Sequence, residues 1–384
     1  MSVGRNGEHS GRAAVFCSRY LAYSQTFIYE EIRQHVRYEV EVFCRGLLNP
    51  GQFPFHPVHT AGLLYPYTRY SRRFLHILAQ RPFHLVHAHF GTVGITAMYY
   101  ARRRNLPLVV TFHGRDVPLL RSAERWMPKH WGYAALSPRL LRTMTLGLCA
   151  SRELLEMLVG FGVPRDRLRL HPIGIDVEAI SFRPPRGRPA RVVMVGRFVE
   201  KKGFTYGLRA FARGSRDLPA RLTIVGGGAL EPRLRALVQD LGLSDRVEFA
   251  GILPHSRVLR LLEQSDILLA PSVVTRRGDR ESGLMVVKEA GAAGAVAVGT
   301  VHGGIPEIID DGVTGFLVPE RDVAAMAERL RLLLSDEELR IRLARAARRK
   351  MEREYDNTHR VAALEERYDE ARRIHARGTE SRRR

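Results

Sequence analysis

Cysteine is scarce in this chain of 384 residues: Cys17, Cys44 and Cys149 are all there is. An odd number at those separations, each inside an apolar segment, argues against a disulfide framework or a zinc ligand set. It fits reduced core thiols in a cytoplasmic protein. Apolar runs of about 18 residues are absent, so no transmembrane helix is expected. Met1 to Arg12 is polar, and no secretory leader is expected either. Lysine is rare: of 61 basic side chains only Lys129, Lys201, Lys202, Lys288 and Lys350 are lysine. Acidic residues are missing altogether between Glu41 and Asp116, a stretch that carries Arg45, Arg69, Arg72, Arg73, Arg81, Arg102, Arg103, Arg104 and Arg115. No Asp-x-Asp step occurs anywhere, which argues against a diphosphate held through a metal. No G-x-G-x-x-G occurs at the strand ends, which argues against a dinucleotide site.

What is present is an alternation of short apolar runs and amphipathic stretches, the pattern of an α/β protein with parallel sheets. Strands are expected at 13–17, 39–44, 85–88, 108–111, 146–150 and 168–171, and again at 191–195, 221–225, 247–250, 267–270, 295–298 and 316–318. Each set makes one doubly wound sheet. Ser181 to Pro189 is rich in Pro, Gly and Arg and reads as a linker. The expected division is 1–180 for a first Rossmann-like domain, 181–355 for a second, and 356–384 for a helix crossing back to the first, with a basic tail. Ligands are expected in a central cleft faced by the carboxyl ends of both sheets.

The densest motif is Glu281-Ser282-Gly283-Leu284-Met285-Val286-Val287-Lys288-Glu289. Two carboxylates stand eight residues apart around a Gly-Leu step where a helix begins. Eight residues of helix rise about 12 Å, a span that suits a ribose diol at one end and a sugar ring at the other. Each carboxylate accepts from two neighbouring hydroxyls, and amides at Gly283 and Leu284 face a diphosphate between them. A second motif, Val192 to Phe204, runs from a buried strand into Gly196, Arg197, Lys201 and Lys202. Arg197 offers a planar fork and Lys202 a point charge to phosphate oxygens. Gly226, Gly227 and Gly228 form a tight turn after another strand, and Gly251 ends a fourth segment whose backbone suits a base edge.

In combination these segments resemble the large "group 1" family of retaining glycosyltransferases with the GT-B fold, from about Val192 to Leu334. The first half resembles members that build exopolysaccharide or lipopolysaccharide chains, through Ser24-Gln25-Thr26-Phe27-Ile28, His87-Ala88-His89-Phe90-Gly91, Thr111-Phe112-His113-Gly114 and His171-Pro172-Ile173-Gly174-Ile175-Asp176. The resemblance implies a donor site of Gly196, Arg197, Lys202, Gly251, Glu281, Gly283, Leu284 and Glu289. It implies catalytic roles for His113, Arg197, Lys202 and Glu281, and an acceptor side with Ser24, Gln25, Thr26 and His89. The implied reaction moves a hexose-type sugar from a nucleotide sugar, UDP favoured, to a glycan or lipid-linked hydroxyl in cell-envelope polysaccharide synthesis. It uses no metal and no cofactor. Two positions depart from common members: Arg115 follows the Thr-Phe-His-Gly run where an aromatic is usual, and Ser18 to Ser24 contains no glycine.

Three rival readings have some basis. A soluble small-molecule acceptor is one. A nucleotide-sugar epimerase or phosphorylase on the same fold is another. The net charge of +21 suggests a nucleic-acid-binding protein, but no nucleic-acid motif accompanies it, and no nucleic-acid partner is expected. His84, His87 and His89 have no carboxylate near them in sequence, so a metal site is not expected there. Tyr70, Phe74, Ile77 and Leu78 fall on one helical face beside Arg69, Arg72 and Arg73. That pattern predicts a peripheral contact with the anionic inner leaflet of the membrane.

Overall fold

The strands of this chain are nearly continuous apolar runs, Val192-Val193-Met194-Val195 among them. Such runs bury both faces of a strand and build parallel sheets covered on both sides. The computed structural model describes residues 10–21, 25–62, 70–114, 116–185, 190–281 and 283–381. The chain divides into two units. One holds the residues up to Gly174 together with those from Asn357 on, and the other holds Ile175–Asp356.

The first unit is a seven-stranded sheet in the order β3-β2-β1-β4-β5-β6-β7. Its strands are β1 (Gly11–Cys17), β2 (Tyr38–Cys44), β3 (Val58–Thr60), β4 (Leu85–His89), β5 (Leu108–Phe112), β6 (Leu146–Cys149) and β7 (Leu168–Leu170), all paired in parallel. Six match the expected segments to within two residues. β3 was not expected, because three residues carry no readable period. The helix Asn357–Ser381 belongs to this unit. Leu364, Tyr368 and Ala371 recur at helical spacing and are buried with Leu85 and Val109. A Glu365 carboxylate oxygen accepts from the backbone N–H groups of Val36, Arg37 and Tyr38 at 2.9, 2.8 and 3.1 Å.

The second unit is a six-stranded parallel sheet in the order β10-β9-β8-β11-β12-β13. Its strands are β8 (Ala190–Val195), β9 (Ala220–Val225), β10 (Val247–Gly251), β11 (Ile267–Ala270), β12 (Val296–Thr300) and β13 (Gly315–Val318). The change of unit comes at Gly174–Ile175, ahead of the expected linker. Ile175, Val177 and Ile180 are buried in the second unit's core, and Phe182 packs on it. Pro and Gly content marked a loop there, but apolar burial decides which unit the loop belongs to.

The basic segment in the first unit is corrected by the fold. Helix Arg72–Gln80 is capped by the Ser71 hydroxyl, which accepts from the Phe74 N–H at 3.4 Å. Phe74 and Leu78 are fully buried, with Phe74 edge-on to Phe16 and Phe43. Leu75 and Ile77 pack on the same core. The apolar face expected to meet a membrane is therefore a core face. Tyr70 stands partly exposed against Tyr99, and Arg69 lies outside the described residues.

Candidate functional site

In the second unit the strand order reverses between β8 and β11. Loops leaving the carboxyl ends of strands at such a reversal diverge and leave room for a ligand. The loop after β8 contains Gly196, Arg197 and a single turn at Glu200–Lys202. The loop after β11 leads through Asp279 and Glu281 to the helix Met285–Ala293. Backbone bonds join them: Val273 N–H donates to Lys201 O at 2.9 Å. Gly203 makes the close approach possible. Its φ is +64°, and a Cβ there would lie 1.7 Å from the Pro271 carbonyl oxygen. Gly226, at φ +140°, touches the Gly196 carbonyl in the same way, and its N–H donates to Gly251 O at 2.8 Å.

Charges of both signs converge on this spot. Lys202 Nζ lies 3.3 Å from Glu281 Oε1, and Lys201 Nζ lies 3.6 Å from the same oxygen and 3.4 Å from Asp279 Oδ1. All of these side chains are largely buried except that of Asp279, a third of which is exposed. Burial alone would raise the Glu281 carboxyl, but Lys202 and then Lys201 outweigh it and hold the group below the usual carboxylate range. Burial lowers the Lys202 ammonium, Glu281 opposes that, and Lys201 and Arg197 add to it. Arg197 itself is exposed.

A second layer orients Glu281. Its backbone N–H donates to His302 Nε2 at 2.9 Å, and His302 Nδ1 lies 2.6 Å from Glu320 Oε1. Because Nε2 accepts, the ring proton sits on Nδ1 and is donated to Glu320. Glu320 also accepts from Val274 N–H at 2.9 Å. Leu284, buried, stands just before the helix start, with half-buried Gly283 ahead of it. Glu281 therefore lies outside the helix, and the two carboxylates do not share one helical face. Glu289 is on the helix, buried, with Oε1 2.9 Å from His255 Nε2.

In the first unit the order reverses between β1 and β4. Gln25 and Thr26 open the helix Thr26–Arg33 that follows β1; Ser24 lies outside the described residues. His89 ends β4 and His113 follows β5. Both are buried and stacked, with ring centroids 5.2 Å apart and His89 Nδ1 2.9 Å from His113 Nε2. Phe27 and Phe90 flank His113 at 4.9 and 4.7 Å. Burial, and then His89, lower His113 well below its ordinary value, so the imidazole is neutral near pH 7.

The helix brings a carboxylate to these histidines that sequence spacing did not reveal: Glu31 Oε1 is 3.3 Å from His89 Nε2. The donor atoms of Glu31, His87 and His89 all lie within 4.8 Å of one another. His87, however, already uses both nitrogens, toward Tyr368 Oη at 2.8 Å and Thr111 Oγ1 at 2.7 Å. The cluster is therefore a row of contacts in which Glu31 faces His89 at ion-pair distance and His89 is hydrogen-bonded to His113. Burial opposes ionisation of Glu31, but His89 first, then His87 and His171, hold it below the carboxylate range. Burial pushes His87 and His171 toward neutrality. Asp116, buried, accepts from Gly91 N–H at 2.7 Å and Gly114 N–H at 3.1 Å. It pins the turn that carries His113. Lys201, Asp279, His302, Glu320, Glu31 and Asp116 were not among the expected residues. Only the Lys201-Lys202 pair, unusual in an arginine-rich chain, gave a signal.

The sequence profile described as Glycosyl transferases group 1 matches residues 176–350, and that described as Glycosyltransferase Family 4 matches 25–179. The chain is 32% identical over 279 residues to a putative colanic acid biosynthesis glycosyltransferase, WcaL, of Escherichia coli strain K12. That match covers 70% of this chain and 66% of WcaL, just under two thirds of the relative's length. It is 32% identical over 284 residues to N-acetyl-alpha-D-glucosaminyl L-malate synthase of Bacillus anthracis, covering 69% of this chain and 68% of that one. Among solved structures it resembles Anabaena HepE in complex with UDP, with a TM-score of 0.76 at 16% identity, over 94% of this chain and all of that one. That likeness gives the fold, GT-B. With profiles matching in both units and the two sheets laid out as above, the chain belongs to the glycosyl transferases group 1 family.

Proposed function

We propose that this protein transfers a hexose-type sugar from a nucleotide diphosphate donor to a hydroxyl of a glycan or lipid-linked acceptor in cell-envelope polysaccharide synthesis, with retained anomeric configuration. The observation that carries the reading is the convergence of Lys201, Lys202 and Glu281 at the β8/β11 reversal. A departing diphosphate gains charge in the transition state, and preplaced cations stabilise that charge most where water is scarce. Lys202 and exposed Arg197 take this role, with the helix start at Gly283 and Leu284 beside them. With two cations at hand the diphosphate needs no metal. Glu281 receives the sugar hydroxyls and Glu289 the ribose. His113, neutral and walled by Phe27 and Phe90, is the candidate group at the reacting bond. The C1–oxygen bond to the diphosphate breaks as the acceptor oxygen bonds C1 on the same face, and the acceptor proton passes to the departing phosphate oxygen.

UDP is favoured because the solved HepE structure holds it. The polysaccharide setting is supported by the name of WcaL. A second reading, a small soluble acceptor, is supported by the L-malate in the name of the Bacillus relative. The site of action is the cytoplasm, peripheral to the inner membrane when the acceptor is lipid-linked. The test is a turnover assay with UDP-, GDP- and ADP-sugars against lipid-linked and soluble acceptors in excess EDTA. Transfer from one nucleotide sugar with chelator present is expected. A strict need for Mg²⁺ or Mn²⁺ overturns the metal-free account, and no turnover with any donor overturns the whole.

A further inference from the structure

The chain contains two tryptophans, Trp126 and Trp131. Both are surface residues, 65% and 57% exposed. Tryptophan is costly to leave in water, because its large apolar ring wants cover. Here the two rings wall a concave apolar pocket of about 770 Å³ in the first unit, with Leu120, Ala135, Leu141 and Phe161 as its other main lining. Met127 and Leu136 are exposed nearby. The helix Pro128–Thr143 explains the concavity. It turns Tyr133, Ser137, Leu140 and Leu141 inward, and small Ala134 and Ala135 lie on the pocket side, where larger residues would fill it. The volume is that of a pocket for a small amphiphile.

The surroundings are cationic. From Arg121 to Arg142 the chain has Arg121, Arg125, Lys129, Arg139 and Arg142 against one acid, Glu124. Arg125 lies 4.7 Å above the Trp126 ring and donates to the Leu120 carbonyl at 3.0 Å. Arg121 lies 5.1 Å above Phe161. Both guanidinium groups lie against aromatic faces, and among the described residues neither has a carboxylate within ion-pair distance. An apolar hollow rimmed by uncompensated cations matches a molecule with one apolar chain and an anionic head.

We propose that this pocket binds the chain and phosphate end of an isoprenoid phosphate, the lipid portion of the acceptor. The assignment rests on the lipid-linked form of the acceptor proposed above. It moves the lipid contact away from helix Arg72–Gln80, whose apolar face is buried. The pocket is concave, so it takes a single chain between Trp126 and Trp131, where a flat bilayer contact needs a protruding apolar surface.

The two tryptophans make the test direct, since intrinsic tryptophan fluorescence of the full chain reports only on this pocket. Farnesyl phosphate below its micelle concentration is expected to give a saturable blue shift. Geranyl phosphate should bind at least about tenfold more weakly, as five fewer carbons are buried, and farnesol also more weakly for want of charge. Inorganic diphosphate should give no shift. Ala135→Glu, on the exposed side of the helix, should weaken farnesyl phosphate at least about tenfold while leaving the melting temperature and both fluorophores in place. The proposal is overturned by the absence of a saturable shift, by equal binding to Ala135→Glu, by a response to anionic liposomes alone, or by a shift that follows protein concentration and so reports a second copy. No donor or turnover enters the titration. Failure of the nucleotide-sugar reading would show as no transfer to any acceptor, whatever the fluorescence gives.

Discussion

The two sheets reverse their strand order at equivalent places, β1/β4 and β8/β11, yet the chemistry at the two reversals is opposite. At β8/β11 glycines bring backbones into contact and two lysines share a carboxylate. At β1/β4 aromatic rings and buried histidines are stacked beside one largely buried acid. One reversal offers fixed charge for a charged ligand. The other offers a dry, weakly basic wall. A common scaffold thus leaves the chemistry to the few residues that leave the strand ends.

If charge is the whole business of the β8/β11 site, Glu281→Ala and Lys202→Met should cut turnover at saturating donor by about 10²–10³-fold. A loss confined to KM would mean that these residues only bind. At the other reversal, His113→Ala should lower turnover by about 10²-fold with donor affinity unchanged. Normal turnover with a lowered melting temperature would make His113 a packing residue.

Acid should separate the two units. In the first, burial holds His171 down to about 4, and His87 and His113 are lowered as well. For such a group the unfolded chain binds more protons, so stability is present above the ordinary value near 6.5 and is lost as pH falls toward the folded value. His171 alone amounts to roughly 3 kcal/mol across that window. Among the second unit's carboxylates, Glu281 and Glu320 are the ones held low. Their contribution persists until pH falls below about 4.5. Hydrogen exchange read by mass spectrometry between pH 7 and 5 should therefore show the first unit loosening while the second holds. Equal loosening of both would remove the contrast. The smallest effect is expected at Glu289, where replacement by Ala should weaken donor binding by about 1.5–3 kcal/mol and spare the rate at saturation. Unchanged affinity in calorimetry would separate Glu289 from the ribose.

Much of the fold was legible because parallel strands buried on both faces write themselves as apolar runs, and twelve such runs lie within two residues of observed strands. The Glu281 and Lys202 segments were legible for a related reason: glycines and charges cluster at strand ends, next to the runs that locate them. The helix Arg72–Gln80 was misread because a core face and a membrane face share one period. Periodicity tells which residues go together, and only the neighbours tell what they meet.

The sequence by itself determined two doubly wound sheets, the segments at their carboxyl ends and an excess of positive charge without a partner. Tertiary structure decided the rest. It set Lys201 beside Lys202 on Glu281, laid His302 and Glu320 behind that carboxylate, carried Glu31 to His89, and left Trp126 and Trp131 uncovered over a hollow. The reason is distance along the chain. Local pattern reflects each residue's own preference for water or core. Hydrogen bonds and ion pairs between residues 18 to 80 positions apart form only after strand pairing has brought their loops to one edge.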